Sequence, residues 1–236
     1  MWSTEGPQVP ELLNPRLMAD TAATFLFADI AGFTALTEAH GDEAAIELVD
    51  SFCEAVEAQL PRVAGEHVKT IGDAVMLRVP EPADAVRLGL WIAHDAMRDH
   101  GSPAVRVGLH HGHAIERNGD YFGASVNLAA RVSSVAAGGE VLVTGQTAAL
   151  VPDLEGVSFE SRGRKSLRNV SEPVELFAAL RTGESGTGNL PIDPVCRMAV
   201  DPERAPGQLA YEGTAYFFCS LTCAGMFAQN PARFAT

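Results

Sequence analysis

The chain has 236 residues, 47% of them hydrophobic and 20% charged, with a formal net charge of −13. That length allows one sizeable core and a small second unit, because domains run to ~100–200 residues. The acidic balance disfavours nucleic acid as a partner, since such binders carry a basic face that displaces counterions from phosphates, and no run of ~18 uncharged apolar residues offers a membrane span. The opening MWSTEGPQVPELL lacks both the basic start and the apolar core of a signal peptide, so a soluble cytoplasmic protein is expected. Of the four cysteines, Cys196, Cys219 and Cys223 fall close together near the end, which in a reducing compartment favours a metal site over disulfides.

Taken in order, residues 1–20 are read as an N-terminal extension. Thr24–Ile30, TFLFADI, is an apolar run of buried-strand length. Ala44–Leu60 carries Ile46, Val49, Phe52, Cys53, Val56 and Leu60 at helical spacing with acids opposite, which makes Cys53 a small core residue. Val68–Ile71 and Ala74–Val79 read as two strands closed by Gly72-Asp73, a hairpin pair. A second amphipathic helix is expected over Ala83–Asp99, with Val86, Leu90, Ala93 and Met97 on one stripe. A strand at Ala104–Ile115, a glycine-rich turn and a helix at Ala124–Val135 follow, then strand-like pieces at Val141–Thr144, Val157–Phe159 and Val174–Ala179. RTGESGTGNL, Arg181–Leu190, cannot form a core and reads as a flexible linker. The order predicts an α+β, ferredoxin-like βαββαβ domain with helices on one face of an antiparallel sheet and extra C-terminal elements.

Two aspartates stand out. Asp29 ends the first strand and Asp73 sits in the hairpin turn, so a βαββαβ sheet brings two carboxylates to one edge. Alone, each is an ordinary turn or cap residue. Together they repel unless a cation lies between them, and hard oxygen ligands suit Mg²⁺ or Mn²⁺. On the helix after the turn, Asn127 and Arg131 are four apart and share a face. An amide beside a guanidinium can orient a ribose and neutralise charge developing on a phosphoryl group.

FADIAGFT, VKTIGDAVM, VRVGLHHG and DYFGASVNLAARV, in that order and spacing, resemble the catalytic domain of the class III adenylate and guanylate cyclases, over residues 21–180. The resemblance implies that Asp29, Asp73 and the backbone carbonyl of Ile30 bind two Mg²⁺ or Mn²⁺ ions per active site. It implies that Lys69 and Asp120 recognise the purine, that Arg106 and Arg168 touch the triphosphate, and that Asn127 and Arg131 act on the transition state. It further implies a homodimer, with metal carboxylates from one copy and base, ribose and phosphate contacts from the other. Adenine offers an acceptor at N1 and a donor at N6, which suit Lys69 and Asp120, whereas guanine presents the reverse polarity. ATP is therefore the expected substrate, cyclised to 3′,5′-cyclic AMP and pyrophosphate. No side chain is an evident general base. The alternatives are a guanylate cyclase, or a catalytically weak nucleotide-binding and metal-sensing signalling protein. His110, His111 and His113 are read as strand residues engaged in packing and hydrogen bonding.

Residues 191–236, with PIDPVCRMAVDP, YEGTAYFFCSLTC and MFAQNPARF, resemble the YHS domain, a small Cys-rich metal-binding module of the treble-clef type. Cys196, Cys219 and Cys223 fit a thiolate site for Zn²⁺ or Cu⁺. No fourth ligand is obvious from spacing, Asp193 being nearby. A regulatory role for this tail is an expectation from covalent linkage alone.

Overall fold

The computed structural model describes residues 19–97, 104–183, 190–196, 198–203 and 205–235. Most of the expected N-terminal extension and of the linker therefore lies outside the described residues. The first strand, β1 (Ala19–Ile30), begins earlier than its apolar run suggested. Residues then alternate between faces. Leu26, Ala28 and Ile30 enter one apolar cluster, whereas Phe25 enters another on the opposite side.

After β1 the chain forms two helices where periodicity suggested one, α1 (Phe33–His40) and α2 (Asp42–Glu57). They part at Gly41, whose φ of 87° is left-handed. Leu36 is the only buried residue of α1, so its apolar period was too short to read. The hairpin β2 (Glu66–Ile71) and β3 (Ala74–Val79) follows, then α3 (Pro82–His94). The long β4 (Val105–Arg117) and the three-residue β5 (Asp120–Phe122) lead into α4 (Ala124–Ser134). β6 (Val141–Thr144), α5 (Gly145–Leu150), β7 (Val157–Lys165) and β8 (Val174–Arg181) complete the large unit.

The sheet runs β2-β3-β1-β4-β6-β8-β7, with β5 folded onto β4. Its neighbours are antiparallel except for β4 and β6. The two helical layers of the βαββαβ unit share one face: Phe52 and Val56 of α2 and Val86 and Leu90 of α3 pack with Leu26 and Leu109. α4 takes the other face, where Val126 and Ala129 cover Phe25, Met76 and Tyr121. It lies so close to β4 that a Cβ on Gly108 would stand 2.0 Å from the Ser133 nitrogen. That glycine fixes how low the helix sits.

The tail is a two-stranded ribbon, β9 (Gly207–Tyr211) and β10 (Thr214–Phe218), with α6 (Leu221–Gln229) and α7 (Pro231–Phe234). Phe227 is its centre, with ring centroids 4.8 Å from Tyr216 and 5.1 Å from Phe218. A unit this small is marginal alone. Met198, Val200, Phe218 and Phe227 belong to the same apolar cluster as α2, α3 and β1, and a buried side chain of this size contributes roughly 1.5–3 kcal/mol. Among the described residues, no helix is long and apolar enough to cross a membrane.

Candidate active site and thiol cluster

Asp29 pairs across the strands with Ala74 of β3 on one side and Arg106 of β4 on the other. Asp73 reaches the same spot from the two-residue turn between β2 and β3, where Gly72 takes φ 64° at the first turn position, as a type II′ hairpin requires. Arg106 donates from Nε to Asp29 Oδ2 at 2.6 Å, and its Nη2 donates to the same oxygen. Burial, then a hydrogen bond that the protonated carboxyl gives to Asp29, then the charge of Asp29, push the Asp73 carboxyl up to about 6. Asp29 thus holds the Arg106 guanidinium while Asp73 stands close enough to be raised by Asp29, so two oxygen-donor carboxyl groups converge where their repulsion favours a cation. The residues present fit Mg²⁺ or Mn²⁺. Ile30 is buried, which leaves its backbone as the part able to act, and the next amide, Ala31 N, donates to Ala104 O at 2.9 Å. Arg106, expected at a phosphate, stands with the carboxylates.

A bulge between His67 and Lys69 shifts the β2 register, so that Lys69 falls opposite Met76. Lys69 Nζ donates to both oxygens of Asp120, at 2.8 and 2.7 Å, above the Phe122 ring at 5.8 Å. The Lys69 hydrogen bond holds Asp120 below the usual carboxylate range. β5 is pinned to β2 by Tyr121, whose hydroxyl donates to Glu66 at 2.9 Å. The donor and acceptor expected to read a purine are therefore adjacent and about one third exposed.

Asn127 and Arg131 face an open recess of about 430 Å³, and the loop between β7 and β8 brings Arg168 to the same recess, with Asn169, Val170 and Ser171. Asn169 takes the left-handed conformation, φ 60°, which an Asn tolerates well. Neither Asp29 nor Asp73 lines this recess, nor do Lys69 and Asp120. Within one chain the expected residues gather into three groups, and not into one site.

The strand histidines are occupied otherwise. His110 pairs through Nδ1 with Thr144 Oγ1 at 2.8 Å, and His111 through Nδ1 with Thr24 Oγ1 at 3.0 Å. Cys53 packs against the main core, and burial raises its thiol.

The tail cysteines are free thiols and buried. Cys196 and Cys219 sulfurs lie 3.3 Å apart, and those of Cys219 and Cys223 3.7 Å apart. Asp193, the nearby oxygen, is wholly buried and spent on the backbone. Its Oδ1 accepts from the amides of Val195 and Cys196 and its Oδ2 from that of Cys219, at 2.8, 3.4 and 2.9 Å. It holds the two cysteine-bearing loops together. The fourth donor comes from the large unit: His40, the last residue of α1, places Nε2 3.1 Å from Cys223 Sγ. Among the described residues, His40, Cys196, Cys219 and Cys223 are the group whose ligand atoms converge, all within 4.8 Å. Hydrogen bonds from Cys196, then Cys219, hold the Cys223 thiol far down, while those to Cys219 and Cys223 push Cys196 up. Sequence reasoning missed His40, which lies 183 residues from Cys223 and carries no spacing signal.

Residues 18–179 match the adenylate and guanylate cyclase catalytic domain, and residues 192–236 match the YHS domain. A pH-sensitive adenylate cyclase of Mycobacterium tuberculosis is 35% identical over 170 residues, covering 69% of this chain and 43% of that protein. An adenylate cyclase of Streptomyces griseus is 35% identical over 197 residues, covering 83% of this chain and 48% of that protein. The chain thus spans less than half the length of these curated relatives. Among solved structures, the adenylyl cyclase CyaB from P. aeruginosa superposes with a TM-score of 0.62 at 24% identity, over 72% of this chain and 99% of that one. The guanylyl cyclase Cya2 superposes with a TM-score of 0.63 at 20% identity, over 71% and 95%. The chain belongs to the family of adenylate and guanylate cyclase catalytic domains, and a YHS domain follows in the same polypeptide.

Proposed function

We propose that the chain is an adenylate cyclase that converts ATP to 3′,5′-cyclic AMP and pyrophosphate as a homodimer with two equivalent sites. The observation that carries this reading is the division of the chemistry within one chain: carboxylates at one end of the sheet, and an amide and guanidinia in a separate recess. A second copy in isologous contact unites them. Ile71 beside the hairpin turn, and Ile115 and Phe122 beside Asp120, are large apolar side chains between 43% and 51% exposed, which suits burial against that copy.

Asp29, Asp73 and the Ile30 carbonyl would hold Mg²⁺ or Mn²⁺, which when bound would supply the positive charge that acidifies the ribose 3′-hydroxyl and stabilises the leaving pyrophosphate. Asn127 holds the ribose so that O3′ faces the α-phosphorus in line, and Arg131 neutralises the charge that develops there. Arg168, in the same recess, takes the outer phosphates. Arg106, paired with Asp29 in this structure, would be free to face phosphate if a divalent cation took over Asp29.

Lys69 and Asp120 already satisfy each other at 2.7–2.8 Å. Inserting adenine lets Lys69 donate to N1 and Asp120 accept from the N6 amine, so both stay satisfied; guanine leaves both mismatched. Polar mismatches in a closed site discriminate by up to ~10⁴-fold. Adenylyl and guanylyl cyclases share this fold with near-equal superposition, so specificity rests on that pair.

Purified chain with Mn²⁺ and either ATP or GTP tests the reading. Cyclic AMP formation, lost in Asp29→Ala, is expected. Absence of cyclic AMP, or faster use of GTP, overturns it.

A further inference from the structure

The YHS cysteines by themselves give three donors, and the structure supplies the fourth from the other domain. We propose that His40, Cys196, Cys219 and Cys223 form one closed Zn²⁺ site that spans the two domains and clamps α1, the helix that follows Asp29 and Ile30 at the end of β1.

The donor geometry carries the first half. Tetrahedral zinc with Zn–S of about 2.3 Å and Zn–N of about 2.0 Å separates its donors by roughly 3.5–3.8 Å. The four donor atoms here lie within 4.8 Å of one another, with contacts of 3.1, 3.3 and 3.7 Å, so small side-chain adjustments suffice. Three thiolates and one imidazole complete a structural zinc set and leave no open position for substrate. The thiol protons leave to solvent as the ion enters, and the imidazole binds neutral through Nε2. The backbone is already organised for this. Asp193 fixes the amides of Cys196 and Cys219, and Ser220 caps α6 by accepting from the Cys223 amide at 3.1 Å.

The second half follows from where else the tail touches. Ala199 packs with Ala31 and Ala104, and a Cβ on Gly138 would lie within 2.8–3.2 Å of all three methyls. Ala104 N also donates to Ala199 O at 3.4 Å, while Ala104 O accepts from Ala31 N at 2.9 Å. The tail therefore touches the chain on both sides of α1: Ala199 packs on Ala31, two residues before the helix starts, and the thiol cluster meets His40, its last residue. An eight-residue helix is about 12 Å long and too short to be stable alone, so fixing its far end orders the segment that follows Asp29 and Ile30. Neither the metal site nor the clamp rests on the cyclase reading.

The test uses the full chain, depleted of metal and reloaded with Zn²⁺, or with Co²⁺ as a spectroscopic probe. One Zn²⁺ per chain and a tetrahedral thiolate–imidazole Co²⁺ spectrum are expected. His40→Ala should weaken zinc binding at least tenfold and change that spectrum, and His40→Cys should recover tight binding by restoring a fourth donor. Amide exchange over residues 33–40 should slow on zinc loading in wild type and not in His40→Ala. Zinc binding equal in wild type and His40→Ala, no zinc bound at all, or exchange in α1 indifferent to zinc overturns the proposal. A chain that makes no cyclic nucleotide yet meets these expectations sinks the cyclase reading and leaves the clamp standing.

Discussion

The two ends of α1 carry opposite kinds of metal chemistry. Before its start Asp29 and Asp73 offer hard oxygens, partly exposed and mutually repelling, with Asp29 paired to Arg106. At its end three buried sulfurs and an imidazole offer soft and borderline donors in a closed set. The first arrangement suits an exchangeable cation that must also take substrate oxygens, the second a resident ion that shapes the fold. Nine residues lie between Ile30 and His40, so one short stretch of chain borders both kinds of donor.

That contrast can be broken from either side. The largest effect is expected at the hard site: Asp73→Ala should lower Mn²⁺-dependent turnover by at least ~10²-fold, since even outer partners of a metal cost 10–100-fold, while zinc content stays at one per chain. At the soft site, Cys196→Ser should abolish zinc retention and lower Tm by on the order of 5–10 °C, because a few kcal/mol shift a chain of this size by that much. Differential scanning calorimetry with and without chelator checks it.

Acidity separates the sites further. Asp73, raised to about 6, is protonated below that value, and a protonated carboxyl is a poor ligand. Mn²⁺ affinity should therefore fall as pH drops through about 6, by up to ~10-fold per unit, and titrations of wild type against Asp73→Asn should show the slope only in wild type. The smallest effect belongs to neither site. His110, buried, is lowered to about 4 from its ordinary 6.5, by burial and then by the charge of His111. The unfolded chain takes up a proton that the folded chain refuses between those values, so stability is present above about 6.5 and lost as pH falls toward 4. That loss is at most ~3 kcal/mol. His110→Gln should flatten thermal stability over that range.

Much of the fold was legible because its core strands are apolar runs and α2, α3 and α4 have full amphipathic periods. Where burial was thin the sequence fell silent. α1 buries only Leu36, and β7 is an edge strand whose SRGRK end alternates nothing apolar and keeps charges outward. The site residues were legible as motifs, but not their grouping. Arg106 meets Asp29 only because β4 lies beside β1 in register, a pairing between strands 77 residues apart. Asp193 could be seen near the cysteines, and His40 could not. The one is close in the chain, whereas the other becomes a neighbour only through the docking of the tail on the main core.

The central claim is that each active site draws on two copies of the chain, and mixing inactive variants tests it most directly. Asp73→Ala spoils the metal half and Arg131→Ala the transition-state half, so a random heterodimer keeps one intact site of two. Co-refolded at equal concentration, the two variants should make cyclic AMP from ATP at about a quarter of the wild-type rate, since half the dimers are mixed and each has one working site. A rate no higher than the sum of the separate variants would contradict the account.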